Sequence, residues 1–309
     1  MNKKLVLLIA AAVLMVVSSV AQAADVSFSG EMRPRFNVDN DASDDSSPAT
    51  FFDTRVRLNA KVNVNANTSA FLQFQSVGMY GSLNDLGGGD AYGSGARRNR
   101  GLGGTEANDD LTDVGFHQAY LTLKNIFGFA ADLKIGRQEV IIDGHRLFGS
   151  TGWTQGAQSI DAVRLLHSAG NHNVSYSYLQ ADEQDAISTM DALDEAVHIL
   201  HASTQGVMGG KLSGIVVVTD DDNSDTGGGD RSVWYTIGAR QAGKVGGLDY
   251  RVEYYHQTGD AGNIAAGSGL GIAGNTAGAG NSADRDAHMV GVRVGKTFTN
   301  AAWKPTITL

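Results

Sequence analysis

The sequence predicts an all-β protein: a transmembrane up-and-down antiparallel β-barrel of about thirteen strands. Three observations predict it. Apolar residues recur at every second position in segment after segment, short and long connections alternate along the chain, and the first 23 residues read as an export signal.

The chain opens MNKKLVLLIAAAVLMVVSSVAQAADVSFSG. Lys3 and Lys4 make a positive n-region, residues 5–17 a short apolar run, and Ala21-Gln22-Ala23 an A-x-A cleavage site. The apolar run is shorter than the roughly 20 residues a membrane helix needs. Residues 1–23 are therefore expected to be a removed signal peptide, with 24–309 forming the barrel. Losing Lys3 and Lys4 takes the basic count from 24 to 22, against 33 acids. An acidic balance of this kind disfavours nucleic acid as a partner. The absence of cysteine excludes disulfides, thiolate metal sites and a lipidated N-terminal cysteine. Forty glycines, three prolines and 42% apolar content exclude collagen and wholesale disorder, and fit many strands joined by glycine-rich turns.

The strands announce themselves by parity. In 26–38, Val26, Phe28, Met32, Phe36 and Val38 share one face, and Ser27, Glu31, Arg33 and Arg35 the other. In 53–65, Val56, Leu58, Ala60, Val62 and Val64 oppose Asp53, Arg55, Arg57, Asn59 and Lys61. Leu248, Tyr250, Val252 and Tyr254 oppose Asp249, Arg251, Glu253 and Tyr255, and Val290, Val292 and Val294 oppose Met289, Gly291 and Arg293. A period of two with one polar face is the barrel pattern. Only 188–196 suggests a helix, expected as a short one within a loop.

Short turns are expected near 65–68, 125–130, 168–172, 205–210, 242–247 and 299–304. Between them fall long links near 39–50, 80–111, 143–157, 181–195, 220–230 and 259–284. A soluble β-sandwich explains the alternation within strands but not this alternation of loop lengths, which an up-and-down barrel requires. The link 80–111 is expected to fold inward as a constriction. An odd strand number, ending in WKPTITL without a terminal aromatic residue, is expected to be a C-terminally incomplete version of a longer barrel, because single-chain bacterial barrels have even numbers.

The polar faces carry Arg33, Arg35, Arg55, Arg57, Lys61, Lys124, Lys134, Arg251 and Arg293, with fewer acids: Glu31, Asp53, Asp132, Asp249 and Glu253. The remaining acids crowd into loops such as DNDASDD and DDDNSD. A mildly basic lumen is expected, and rings of Arg and Lys favour anions. The planar guanidinium also matches a carboxylate. Ion pairs that merely brace a polar interior are the alternative for any single residue.

Signals of catalysis or of a cofactor are thin. His198 and His201 fall on opposite faces of a strand and make a poor metal pair. GLGIAG at 269–274 formally matches GxGxxG but lacks the flanking strand and helix. DDDNSDTGGGD at 220–230 lacks EF-hand spacing. Neither a cofactor nor a metal is expected.

One stretch carries a resemblance. GFHQAYLTLKNIFG at 115–128, IGRQEV at 135–140 and DGHRLFGSTGWTQGAQSIDAVRL at 143–165 together resemble the alginate-export family of outer-membrane porins. The resemblance implies an 18-stranded monomeric barrel with an electropositive, arginine-lined pore, and adds Arg137 and Arg164 as pore candidates. Parity with Leu133 and Ile135 puts Arg137 toward lipid unless Gly136 forms a bulge or the residue lies above the membrane.

The expected function is passive passage of small solutes or anionic saccharides through the outer membrane, in contact with its lipid and without catalysis. Two alternatives stand beside it. One is a dedicated exporter of an alginate-like polysaccharide, working with a periplasmic export complex; the other is a barrel-embedded hydrolase built on Asp143 and His145.

Overall fold

The computed structural model describes residues 25–39, 49–79, 114–182, 194–222, 232–260, 284–298, 300 and 303–309. The expected signal peptide at 1–23, the inward fold expected of 80–111, and the GLGIAG stretch all lie outside the described residues.

Among the described residues, thirteen antiparallel strands form one sheet in strict chain order. They are β1 (Asp25–Asp39), β2 (Ala49–Asn65), β3 (Thr68–Met79), β4 (Gly115–Leu123), β5 (Ala131–Gln138), β6 (Ile160–Ala169), β7 (His172–Asp182), β8 (Asp194–Val207), β9 (Gly210–Asp222), β10 (Ser232–Val245), β11 (Leu248–Asp260), β12 (Asp284–Thr297) and β13 (Thr306–Thr308). Connections as tight as 170–171 and 246–247 alternate with links as long as 139–159. The expected helix at 188–196 is corrected in part. Residues 194–196 open β8, where Val197, Ile199 and His201 set a two-residue period that pairing with β7 enforces; 188–193 lie outside the described residues.

Burial inverts the pattern of a soluble protein. Phe28, Met32 and Val38 are 71%, 70% and 62% exposed, while Arg55 and Arg57 are 5% and 9% exposed. Apolar side chains pointing out and charged ones pointing in suit a sheet whose solvent is hydrocarbon. Register fixes the faces: Arg33 stands opposite Arg55, and Arg35 opposite Asp53.

The sheet curls round the 139–159 connection. Gly152 contacts Arg33 of β1, and Arg146 contacts Glu253 of β11. Ten strand intervals separate β1 from β11, about 48 Å along a sheet spaced at about 4.8 Å. Six residues of chain reach at most about 21 Å. Even with two arginine side chains added, the contacts require the sheet to bend round the segment.

One irregularity positions the site. Pairing of β3 with β4 shifts between Gln73 and Phe74, where Gln73 faces Gln118 and Phe74 faces Phe116. The extra residue, His117, is thereby turned to the polar face beside Gln118, as a β-bulge does.

Candidate functional site

The polar face is organised by the connection between β5 and β6, whose two arms dock on opposite parts of the sheet. The arm 150–157 is gripped by arginines. Arg33 donates to the carbonyl oxygens of Gly152, Trp153 and Thr154 at 2.7, 3.1 and 3.0 Å, and its Nε donates to Gln155 Oε1 at 2.8 Å. Arg35 donates to the Trp153 carbonyl at 3.0 Å and holds Asp53 through two further bonds. Arg55 pairs with Glu31 and leans on the Thr154 carbonyl. Gln155, buried, returns a bond to Asp53 at 2.7 Å. Planar guanidinium groups suit this role, since each fans several donors over neighbouring carbonyls.

Deeper in the same cluster, Arg57 donates to Gln75 Oε1 at 2.7 Å, and Gln75 Nε2 donates to the Gly156 carbonyl at 2.8 Å. Glu139, at the root of the segment, lies 3.4 Å from Arg57 and 2.9 Å from His117. Its amide donates to Gln118 Oε1. The bulge in β4 is what lets two consecutive side chains, His117 and Gln118, serve one carboxylate-bearing residue.

The other arm is apolar with two charged pegs. Val140, Ile142 and Phe148 pack on Ala162, Leu179, Val197, Ile199, Ile215 and Val217 of β6 to β9, and on Tyr255 of β11. Burying each large side chain here contributes about 1.5–3 kcal/mol. The first peg is Asp143, which accepts from Ser213 Oγ at 2.7 Å and contacts Lys211 at 2.8 Å and His201 at 3.2 Å. Burial alone would raise its carboxyl, but the hydrogen bonds from His201, Lys211 and Ser213 outweigh that and hold it well below the usual carboxylate range. The second peg is Arg146, bonded to buried Glu253 at 3.0 and 2.7 Å. Arg240 and Arg251 flank the same carboxylate at 3.7 and 3.6 Å.

The segment carries backbone strain as well. Of seven non-glycine residues with positive φ among the described residues, four lie in it: Asp143, His145, Thr151 and Ala157. Such conformations cost about 1–2 kcal/mol each and persist only when their surroundings dictate them.

Away from the segment, the polar face carries basic residues set against each other. Lys134 of β5 stands opposite Arg164 of β6. Lys134 Nζ rests 3.6 Å above the Tyr120 ring and Arg164 donates to Ser177 at 3.0 Å, and neither has an ion-pair partner among the described residues. Arg251 stands opposite Arg293. These two, with Arg240 and Lys244, line a cavity of about 390 Å³ beside the β10–β11 turn.

The basic residues expected at a pore therefore divide. Arg33, Arg35, Arg55 and Arg57 lie on the polar face but direct their donors to the segment and its acids. Arg164, Arg251 and Arg293 lie on the same face and outside that clamp, as does Lys61, opposite Phe71. Lys124 is exposed in the β4–β5 turn, its amide bonded to Asn67. Arg137 departs from the set. Pairing runs through Gly136 without a shift on either side, so Arg137 shares the face of Leu133 and Ile135 and meets Asp161 there. Gly136 serves the sheet otherwise: its φ is 120°, and a Cβ would strike the Ala119 carbonyl oxygen. Asp143 and His145 do not form the pair a hydrolase needs, because Asp143 turns to His201 and Ser213. His201 and Ser213 bond the carboxylate side by side, so the imidazole is not interposed between hydroxyl and acid as general-base activation requires.

Sequence reasoning missed Gln75, His117, Glu139, Asp143 as an anchor, and Arg146. The signal available for the apolar arm was the run 215–218, apolar on both faces of one strand, which requires cover on the polar side.

A family model described as alginate export matches residues 24–309. The chain belongs to the alginate-export family. Family and antiparallel sheet together make it an outer-membrane β-barrel, a channel or exporter lying in contact with membrane lipid. No curated protein matches this alginate-export chain. Among solved structures it is similar to OmpF of Salmonella typhi in complex with daunomycin, at 13% identity and a TM-score of 0.36, over 89% of this chain and 86% of that one. It is also similar to OmpT, an outer-membrane protein of Vibrio cholerae folded in vitro, at 11% identity and a TM-score of 0.40, over 91% and 85%.

Proposed function

We propose that the protein is a passive channel for anionic saccharides and small anionic solutes, driven by their concentration gradient. One observation carries the reading: two basic side chains stand directly opposite each other on the polar face, Lys134 against Arg164, and neither has an ion-pair partner among the described residues. Like charges directly opposite each other across a strand pair destabilise a sheet; Arg55, opposite Arg33, is paired with Glu31, whereas Lys134 and Arg164 pair with no acid among the described residues. Clustered cations inside a low-dielectric wall attract anions and favour their passage. The clamp arginines contribute less, since Glu31, Asp53 and Glu139 offset most of their charge.

A second reading, a dedicated exporter of an anionic polysaccharide working with a periplasmic complex, is favoured by the family match over residues 24–309. Both readings take residues 1–23 as a cleaved signal, so N-terminal sequencing of the mature protein should begin at Ala24.

The deciding test is the reversal potential of the full chain in a planar bilayer under a KCl gradient. Anion preference is expected, reduced when Lys134→Gln and Arg164→Gln are combined. A cation-selective wild type would overturn the reading, as would an unchanged potential in the double variant.

A further inference from the structure

The large exposed apolar side chains of the strands point to the outer face, where hydrocarbon covers them. Trp153 does not. It sits in the arm of the 139–159 segment that lies on the polar face, and is 82% exposed. Leaving an indole in water forgoes the free energy that burying an aromatic side chain gains.

The backbone beneath this indole is unusually well fixed. Arg33 grips the carbonyls of residues 152, 153 and 154, and Arg35 grips that of 153 again. Within the turn, the amide and hydroxyl of Thr154 both donate to the Thr151 carbonyl, and Thr151 itself is held at a φ of 43°. Two arginines and a strained residue thus preorganise a four-residue turn whose single large side chain faces water. The Arg35 guanidinium lies 5.9 Å from the indole centroid, on the same polar face. Of its five N–H groups, three are directed to Asp53 and the Trp153 carbonyl. Among the described residues, no partner takes the other two.

From this geometry we propose that Trp153 is a stacking platform for the pyranose ring of an anionic saccharide. The C–H face of the sugar covers the indole, and a ring carboxylate or hydroxyl takes the spare N–H groups of Arg35. The flat rigid ring costs little entropy to use, and the turn that carries it is already ordered. The proposal rests on the channel reading and deepens it. Charge admits anions of any shape, whereas Trp153 distinguishes a cyclic anion from a linear one of equal charge.

The test is block of single-channel current by two probes of equal charge, a hexuronic acid trisaccharide and citrate, on wild type, Trp153→Ala and Trp153→Phe. The trisaccharide is expected to interrupt the current of wild type. Its half-blocking concentration should rise about tenfold in Trp153→Ala, and recover most of that loss in Trp153→Phe. Citrate block and the reversal potential should stay constant across the three. In parallel, the trisaccharide should change tryptophan emission in wild type and leave it unchanged in Trp153→Ala. Equal trisaccharide block in wild type and Trp153→Ala would overturn the platform while the channel reading stands. Loss of citrate block together with trisaccharide block would do the same, marking a general distortion. Cation selectivity in wild type would instead sink the channel reading itself.

Discussion

Arg137 and Asp161 face each other across β5 and β6 through two hydrogen bonds of 3.0 and 2.8 Å, on the opposite side of the sheet from Lys134 and Arg164. The arginine of the IGRQEV stretch therefore lies on the face of Leu133 and Ile135 and not on that of Lys134 and Arg164. An exposed pair of this kind contributes about 0–1 kcal/mol. Arg137→Ala should leave conductance and reversal potential unchanged in a bilayer, and shift the urea midpoint of the lipid-embedded protein only slightly. A changed reversal potential would return Arg137 to the permeation path.

Glu253 is the counter-charge for three guanidinium groups, those of Arg146, Arg240 and Arg251. Glu253→Gln leaves them facing one another, with side chains 45%, 15% and 25% exposed. Because the three guanidinium groups keep access to water, losing their common carboxylate costs less than the roughly 3–5 kcal/mol of breaking a fully buried pair. The expected outcome is a loosened apolar arm, read as a larger single-channel conductance and faster proteolysis within 139–159, together with stronger anion preference. Unaltered cleavage would show that Arg146 does not peg the segment.

Asp143 gives the segment a defined pH response. Its folded carboxyl lies below the unfolded value of about 3.9, so its contribution is complete above that pH and is lost as pH falls through the depressed folded value. Segment proteolysis should not change between pH 5 and 8 on account of Asp143, and should accelerate only well below pH 4. Asp143→Asn should remove this acid dependence and raise cleavage above about pH 4, converging with wild type at the acid end.

Phe148 is 5% exposed and packs among Leu179, Val197, Ile199 and their neighbours. Phe148→Ala removes about 3–5 kcal/mol of docking. The affected interface is a loop against a wall, so the expected readout is again conductance, with the β-sheet signal in circular dichroism retained. Loss of that signal would mean that the segment supports the wall itself.

The strands were legible because lipid and water impose opposite demands on alternate residues. Val26, Phe28 and Met32 against Glu31, Arg33 and Arg35 needed no structure to be assigned. The docking of 139–159 was not legible, because Arg33 and Arg35 grip backbone carbonyls, and every residue carries a carbonyl regardless of type. Asp194 to Ala196 read as helical since three residues are too few to show a period of two, whereas pairing with β7 and β9 settles them. Among the charged residues, parity located the face of Lys134 but not its partners, and Arg164 entered only through the family resemblance, so clamp and free cations looked alike in sequence.

The two arms of 139–159 also bear on the order of assembly. Arg33 and Gln155 are 122 positions apart, and Arg146 and Glu253 are 107 apart in the other direction. Contacts of that separation form only after the intervening chain is confined. The interior is consequently completed late, when strands from both ends of the sheet have arrived. Until then Val197, Ile199, Ile215 and Val217 present a second apolar face, which Val140, Ile142 and Phe148 cover once the segment docks.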